Sequence, residues 1–245
     1  MKILIFLIPI LFFSSVTFPK QTIEENTDKA VLIGVARYEH MGDWLYNDDD
    51  AYRLYAFLSS YHFSDDNLNL LIDEDAGNEN IINKLTRSSE LCTANDNFFF
   101  YFAGHSNSKG ILGYNGTYEN IVKYEEIGKI LKTCKAKHKL LIFNAAYSDK
   151  AKTAFDENTT VWFGGNEGEE TPEYNDLRQT LFAHFIIRGL KGAADANDDT
   201  IVSLEEVRDY TYDNVRFYTE NQQNPVMINY VTTEWNLKNL KANRK

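Results

Sequence analysis

The chain has 245 residues, 43% hydrophobic and 14% aromatic, and a formal net charge of −11. That much apolar surface excludes a disordered chain, and the length suits one α/β domain with loops. The acidity repels phosphate backbones, which argues against a nucleic-acid partner and favours cations or basic peptides.

At the N-terminus, Lys2 precedes an uncharged apolar run over residues 3–13. Ser14, Ser15 and Thr17 follow, and the sequence turns polar at Lys20. At about 1.5 Å per residue, a helix of that length falls well short of a ~30 Å hydrocarbon core. Residues 1–20 read as a signal peptide, with an uncleaved anchor as the alternative, and residues 21–28 as a linker. The expected location is exported, periplasmic or secreted, with no stable membrane span once the signal is removed. Export would permit a disulfide between the two cysteines, Cys92 and Cys134. Two part-buried thiols are the preferred reading, since two cysteines do not make a disulfide scaffold.

Strand and helix patterns then alternate. Residues 30–36 (AVLIGVA) form a short β-branched run. Residues 48–60 place Leu54, Tyr55, Phe57 and Leu58 on a helix face, and residues 68–72 are the next strand. Asn78 can cap a helix carrying Ile81, Ile82 and Leu85. Buried-strand runs follow at residues 97–103 (NFFFYFA) and 138–146 (HKLLIFNAA), with a helix over 124–134 between them. A shorter strand is expected at 160–163, helices at 177–190 and 203–218, and a last strand at 225–230. The polar stretches 147–159 and 164–176 read as long loops, and residues 235–245 as a tail. Six strands alternating with helices imply an α/β fold with a mostly parallel sheet covered on both faces, as one domain over residues 29–234.

Sites in such sheets form at the carboxyl ends of strands. Two ends stop abruptly at small and polar residues: Ala103, Gly104, His105, Ser106, and Asn144, Ala145, Ala146, Tyr147, Ser148, Asp149. A histidine after a glycine at a strand end suits general-base work, although a lone histidine also serves as a capping or packing residue.

These two stretches resemble the caspase and metacaspase cysteine peptidases, whose strands end in Gly-His-Gly and Asp-Ala-Cys-His/Tyr-Ser-Gly. The likeness extends to the opening strand (Lys29 to Val35), the acidic turn Asn47 to Ala51, and the late motifs Leu181 to Phe185 and Arg188 to Asp195. It implies a caspase-like fold and a Cys–His dyad whose oxyanion is held by backbone N–H groups. By that resemblance His105 is the family histidine and Ala146 stands where the cysteine nucleophile belongs. Gly104, Ser106 and Ala145 form the oxyanion turns. Asp50 and Asn144 occupy the two acidic positions of a pocket that prefers Arg or Lys. A methyl group cannot attack a carbonyl, so the expectation is an inactive binding or regulatory domain with a basic Arg/Lys peptide or protein partner. An active hydrolase using another nucleophile is the alternative, with Ser148 and Ser106 poorly placed for the task.

Residues 195–206 fit an EF-hand-type pattern. Asp195, Asn197 and Asp199 supply oxygens, Ile201 a carbonyl, Ser203 a water-mediated contact and Glu206 a bidentate carboxylate. Thr200 stands where the sharp turn favours Gly. The competing reading is a solvated turn followed by a capping box from Ser203 to Glu206. No cofactor is required; calcium is the single candidate, and with it a third function, a calcium-binding structural module.

Overall fold

A computed structural model describes residues 27–60, 63–64, 66–230 and 236–237. The apolar leader, most of the linker and most of the tail lie outside the described residues. The elements in chain order are β1 (Lys29–Gly34), α1 (Asn47–Ser59), β2 (Leu68–Ile72), α2 (Asn78–Glu90), β3 (Asn97–Ala103), β4 (Ser106–Asn107), β5 (Gly110–Ile111), β6 (Val122–Lys123) and α3 (Tyr124–Leu131). Then come β7 (His138–Ala146), α4 (Asp149–Ala154), β8 (Thr159–Gly165), β9 (Glu173–Tyr174), β10 (Gln179–Thr180), α5 (Leu181–Arg188), β11 (Val202–Ser203), α6 (Leu204–Tyr218), β12 (Val226–Ile228) and β13 (Asn236–Leu237).

Six strands form one sheet in the order β12-β8-β7-β3-β1-β2, parallel throughout except for β12, which runs antiparallel to β8. A parallel sheet is buried on both faces, which is why its strands are continuous apolar runs rather than alternating ones. In β3, Phe98, Phe100 and Phe102 point to one face, with Val31, Ile33, Leu141 and Phe143 from the neighbouring strands. That face is covered by Ile81 and Leu85 of α2, Tyr124, Ile127 and Leu131 of α3, and Ala151 and Ala154 of α4. Tyr101 and Ala103 point the other way, with Leu32, Leu140, Ile142 and Trp162. There they meet Leu54 and Leu58 of α1, Phe182 and Ile186 of α5, and Leu204 and Val207 of α6.

Departures from the sequence expectation are local. The polar stretch 147–159 contains α4, started by Ser148, whose side chain accepts the Lys150 N–H, and anchored by buried Ala151 and Ala154. The helix expected from residue 177 begins at Leu181, because Thr180 caps it by accepting the Ala183 N–H, and residues 179–180 instead pair with 173–174 as a hairpin. The small antiparallel sheet β4-β5-β6 directly after β3 has strands too short to show a period. Two residues of the expected tail, Asn236 and Leu237, pair with β11. Among the described residues no helix is long and apolar enough to cross a membrane.

Candidate functional site

The two strand ends singled out above are neighbours. The β3–β7 register pairs Ala103 with Asn144, so His105 and Ala146 each stand two residues beyond that last pair. The Ser148 hydroxyl donates to Ser108 O at 2.7 Å and ties the two following loops together. A register shift between Phe143 and Ala146 turns the end of β7 before Ala146 meets Gly165.

Several contacts fix His105. Its backbone N–H donates to the Tyr38 hydroxyl at 2.6 Å, and its ring lies between Tyr38 and Trp44, centroids 4.7 and 5.1 Å away. Nε2 lies 2.7 Å from the Gly42 carbonyl. A carbonyl only accepts, so Nε2 carries the proton of the neutral ring and Nδ1 is the basic nitrogen. Gly104 makes this possible: its φ is +155°, and a Cβ there would lie 2.4 Å from the Tyr38 hydroxyl. Tyr38, Gly42 and Trp44 were not legible as site residues, since an aromatic in a loop after a strand carries no signature of its own.

The residues expected around this imidazole are placed as follows. Ala146 presents a methyl group. The Ser148 hydroxyl is committed to Ser108 O and to the start of α4. Ser106 sits in β4 opposite Ile111, with its side chain near the buried Tyr124 phenol. Cys92 and Cys134 precede the starts of β3 and β7, at the far edge of the sheet; seven residues of β3 alone span roughly 23 Å.

The two residues expected to form an acidic pocket bond to the chain itself. Asp50 is fully buried, and its Oδ2 accepts from Thr180 Oγ1 at 2.8 Å, Thr180 N at 3.3 Å and Asn144 Nδ2 at 3.4 Å. Asn144 Nδ2 also donates to Thr180 Oγ1 at 3.0 Å. Asp50 Oδ1, Asn144 Oδ1 and the Tyr101 hydroxyl have no protein partner. Burial pushes the Asp50 carboxyl well above the usual carboxylate range, an effect the Thr180 hydrogen bonds only partly offset. The β9–β10 hairpin holds this arrangement. Glu173 accepts the N–H groups of Leu45 and Tyr46 at 2.8 and 2.7 Å, and Arg178 donates to Asp49 at 3.0 and 3.2 Å. The signal for Thr180 was present, a Thr directly before an apolar helical run; its reach to Asp50 was not.

The acidic loop forms a turn and a capping box. Glu206 Oε2 accepts from Ser203 N and Ser203 Oγ, both at 2.9 Å, and Oε1 from Ala196 N at 3.3 Å. Asp195 Oδ2 accepts from Thr200 N, Asn197 Oδ1 from Asp199 N and Asp199 Oδ1 from Ile201 N. Thr200 adopts φ +69°, the backbone region a glycine enters without cost. Asp195 Oδ1 is buried without a hydrogen-bond partner. Among the described residues no group of three or more His, Cys, Asp or Glu is arranged to hold a metal ion.

Comparison with known proteins bears on the fold and the family. A crystal structure of a protein from Geobacter sulfurreducens superposes with a TM-score of 0.60 at 11% identity, covering 82% of this chain and 92% of that one, which establishes likeness of fold. No curated protein matches. The family model of the caspase domain matches residues 27–232, most of the chain and the whole six-stranded sheet. The chain therefore belongs to the caspase-domain family.

Proposed function

We propose that this chain is a caspase-domain protein without peptidase activity that binds a basic segment of another protein at the carboxyl ends of β3 and β7. The observation that carries the reading is the pairing of an oriented imidazole with a methyl group. His105 is held by Tyr38, Trp44 and Gly42, yet the residue two positions past the last β7 partner is Ala146. Acyl transfer needs a nucleophile that a base can deprotonate, and a C–H is not one.

Recognition of a basic side chain is supported at the rim. Asp49 is partly exposed and already holds a guanidinium, that of Arg178, which also lies over the Tyr46 ring at 5.8 Å. An incoming Arg can replace Arg178 at the same oxygen, Asp49 Oδ2, which accepts from two N–H groups of the guanidinium. Asp50, by contrast, becomes available only if Thr180 withdraws. Export of the mature chain, expected from the leader, would place this binding outside the cytoplasm.

The test compares the natural full chain with the A146C/N144D variant on fluorogenic peptides ending in Arg or Lys. The expected result is turnover by the variant and none by the natural chain, with both binding an Arg-containing peptide more tightly than its Glu counterpart. Turnover by the natural chain that disappears in H105A overturns the inactive reading, and equal affinity for the two peptides overturns the basic partner.

A further inference from the structure

At the edge of the sheet opposite the strand ends bearing His105 and Ala146, Cys92 follows the end of α2 and Cys134 follows the end of α3. Both thiols are buried, 3% and 7% exposed, in the same core cluster. They are neighbours: the Cys92 S–H donates to Ser88 O at 3.4 Å, the two thiols interact, and Ser89 Oγ donates across to Ile130 O at 3.4 Å, joining the end of α2 to the end of α3. The surroundings are not those of two inert packing thiols. Around Cys134 lie the Ala136 N–H, the Ser89 hydroxyl, which donates to Ile130 O, and the Lys139 side chain. Lys139 is 7% exposed, donates to Leu131 O at 3.2 Å and lies 3.9 Å from Asp156. Lys29, also 7% exposed, lies on the Cys92 side and donates to Thr27 O. Two lysines buried this deeply are unusual; Lys139 favours a thiolate at Cys134, whereas at Cys92 Asp96 opposes Lys29. The donors around Cys134 bring its thiol down to about 6.

We propose that Cys92 and Cys134 are a redox pair that closes to an intramolecular disulfide, clamping the end of α2 to the end of α3. The oxidant is a disulfide of the glutathione class. The Cys134 thiolate attacks one sulfur of that disulfide, forming a mixed disulfide and expelling one thiolate. Cys92 gives its proton to the expelled thiolate and attacks the Cys134 sulfur, expelling the second thiolate. One protein disulfide and two small thiols result, with the two electrons passed to the oxidant. Cys134 takes the attacking role because Lys139, whose Nζ donates to Leu131 O three residues before it, lies on its side, while Cys92, whose S–H donates to Ser88 O, takes the resolving role. The loop closed is about forty residues, long enough for the cross-link to restrict the unfolded chain appreciably.

The experiment treats the full chain with oxidised glutathione, both folded and during a denaturant pulse that lifts burial, then alkylates in denaturant and measures intact mass. Expected are two protected cysteines, a mass about 2 Da below the reduced chain, and a peptide joining Cys92 to Cys134. Reduction should lower Tm by roughly 5–15 °C. C92S/C134S should melt near the reduced chain and ignore the reductant. Two alkylated cysteines after the pulse, bridges only between chains, or a Tm indifferent to reduction would each overturn the proposal. None of these outcomes depends on the site around His105 or its partner.

Discussion

Thr180 Oγ1 donates to Asp50 Oδ2 at 2.8 Å, so the buried acid is held by the chain's own α5 cap. The neighbouring Asn144 explains how this arrangement is tolerated. A second carboxylate there would repel Asp50, whereas a carboxamide donates to it at 3.4 Å. Asn144 and Asp50 thus form an internal hydrogen-bonded pair with Thr180.

Asp50 should make stability pH-dependent. Its folded pKa is raised above the unfolded value near ~3.9, so its contribution is fully present below that value and is lost as pH rises through the folded pKa. In Asp50→Asn the carboxamide oxygen still accepts from Thr180, and no charge has to be buried. The variant's Tm is expected to exceed that of the natural chain by more at pH 8 than at pH 5, by a few degrees at the upper end. A difference of the same size at both pH values would show that Asp50 carries no buried-charge cost.

The hairpin predictions separate a structural acid from a competing base. Glu173 caps two backbone N–H groups ahead of α1, a helix whose own N-cap residue, Tyr46, makes no side-chain cap. Glu173→Ala should cost about 1–2 kcal/mol, read as a Tm loss of roughly 2–8 °C. Arg178→Ala breaks an exposed pair and should change stability by less than about 0.5 kcal/mol. The same variant should bind an Arg-containing peptide roughly 3–10-fold more tightly, because the internal competitor at Asp49 is gone. Weaker binding by Arg178→Ala would mean that Arg178 contacts the partner instead of occupying its place.

The framework was readable because each of β1, β3, β7 and β8 is a run of apolar residues too short for a helix and bounded by polar or small ones, and because the spacing between them left room for crossover helices. His105 and Ala146 were readable through motif likeness, and the register of β3 against β7 brings their strand ends together. What stayed hidden shares one cause, contact between residues far apart in sequence. Thr180 reaches Asp50 across 130 positions and Glu173 reaches Tyr46 across 127, and no local period encodes either. Helix α4 was hidden for another reason. Six residues with two buried alanines are too few to display a helical period, and Lys150, Lys152 and Thr153 make the stretch look like a loop.

Gly104 is where the backbone itself makes the site. Gly104→Ala places a Cβ 2.4 Å from the Tyr38 hydroxyl and 2.9 Å from the Phe102 ring, at φ +155°. The expected loss is about 2–4 kcal/mol, with His105 displaced from its bond to Gly42. Tyr38→Phe removes the oxygen that collides and also the acceptor of the His105 N–H, at about 1 kcal/mol. The double variant should therefore be less damaged than the two single losses added together. Strict additivity in chemical denaturation would mean that Tyr38 is not what requires glycine.

The loop at residues 195–206 offers the last test, since two readings of the same residues predict opposite responses. In the capping-box reading Glu206 already spends Oε2 on Ser203 N and Oγ, and Oε1 on Ala196 N, so a cation has to break those bonds to gain a bidentate ligand. Ser203→Ala removes one acceptor for the Glu206 N–H, at 3.2 Å, and one donor to its carboxylate, and should cost about 1 kcal/mol, a Tm loss of roughly 2–4 °C. Millimolar calcium should leave the Tm of both proteins where it was. In the calcium reading the partnerless Asp195 Oδ1 is a waiting ligand, and the Tm of the natural chain rises with calcium by an amount that Asp195→Ala abolishes. A thermal melt with and without the metal decides between them, because Asp195→Ala also removes the acceptor for Thr200 N and so lowers the Tm under either reading, but only under the second does it remove a response to calcium.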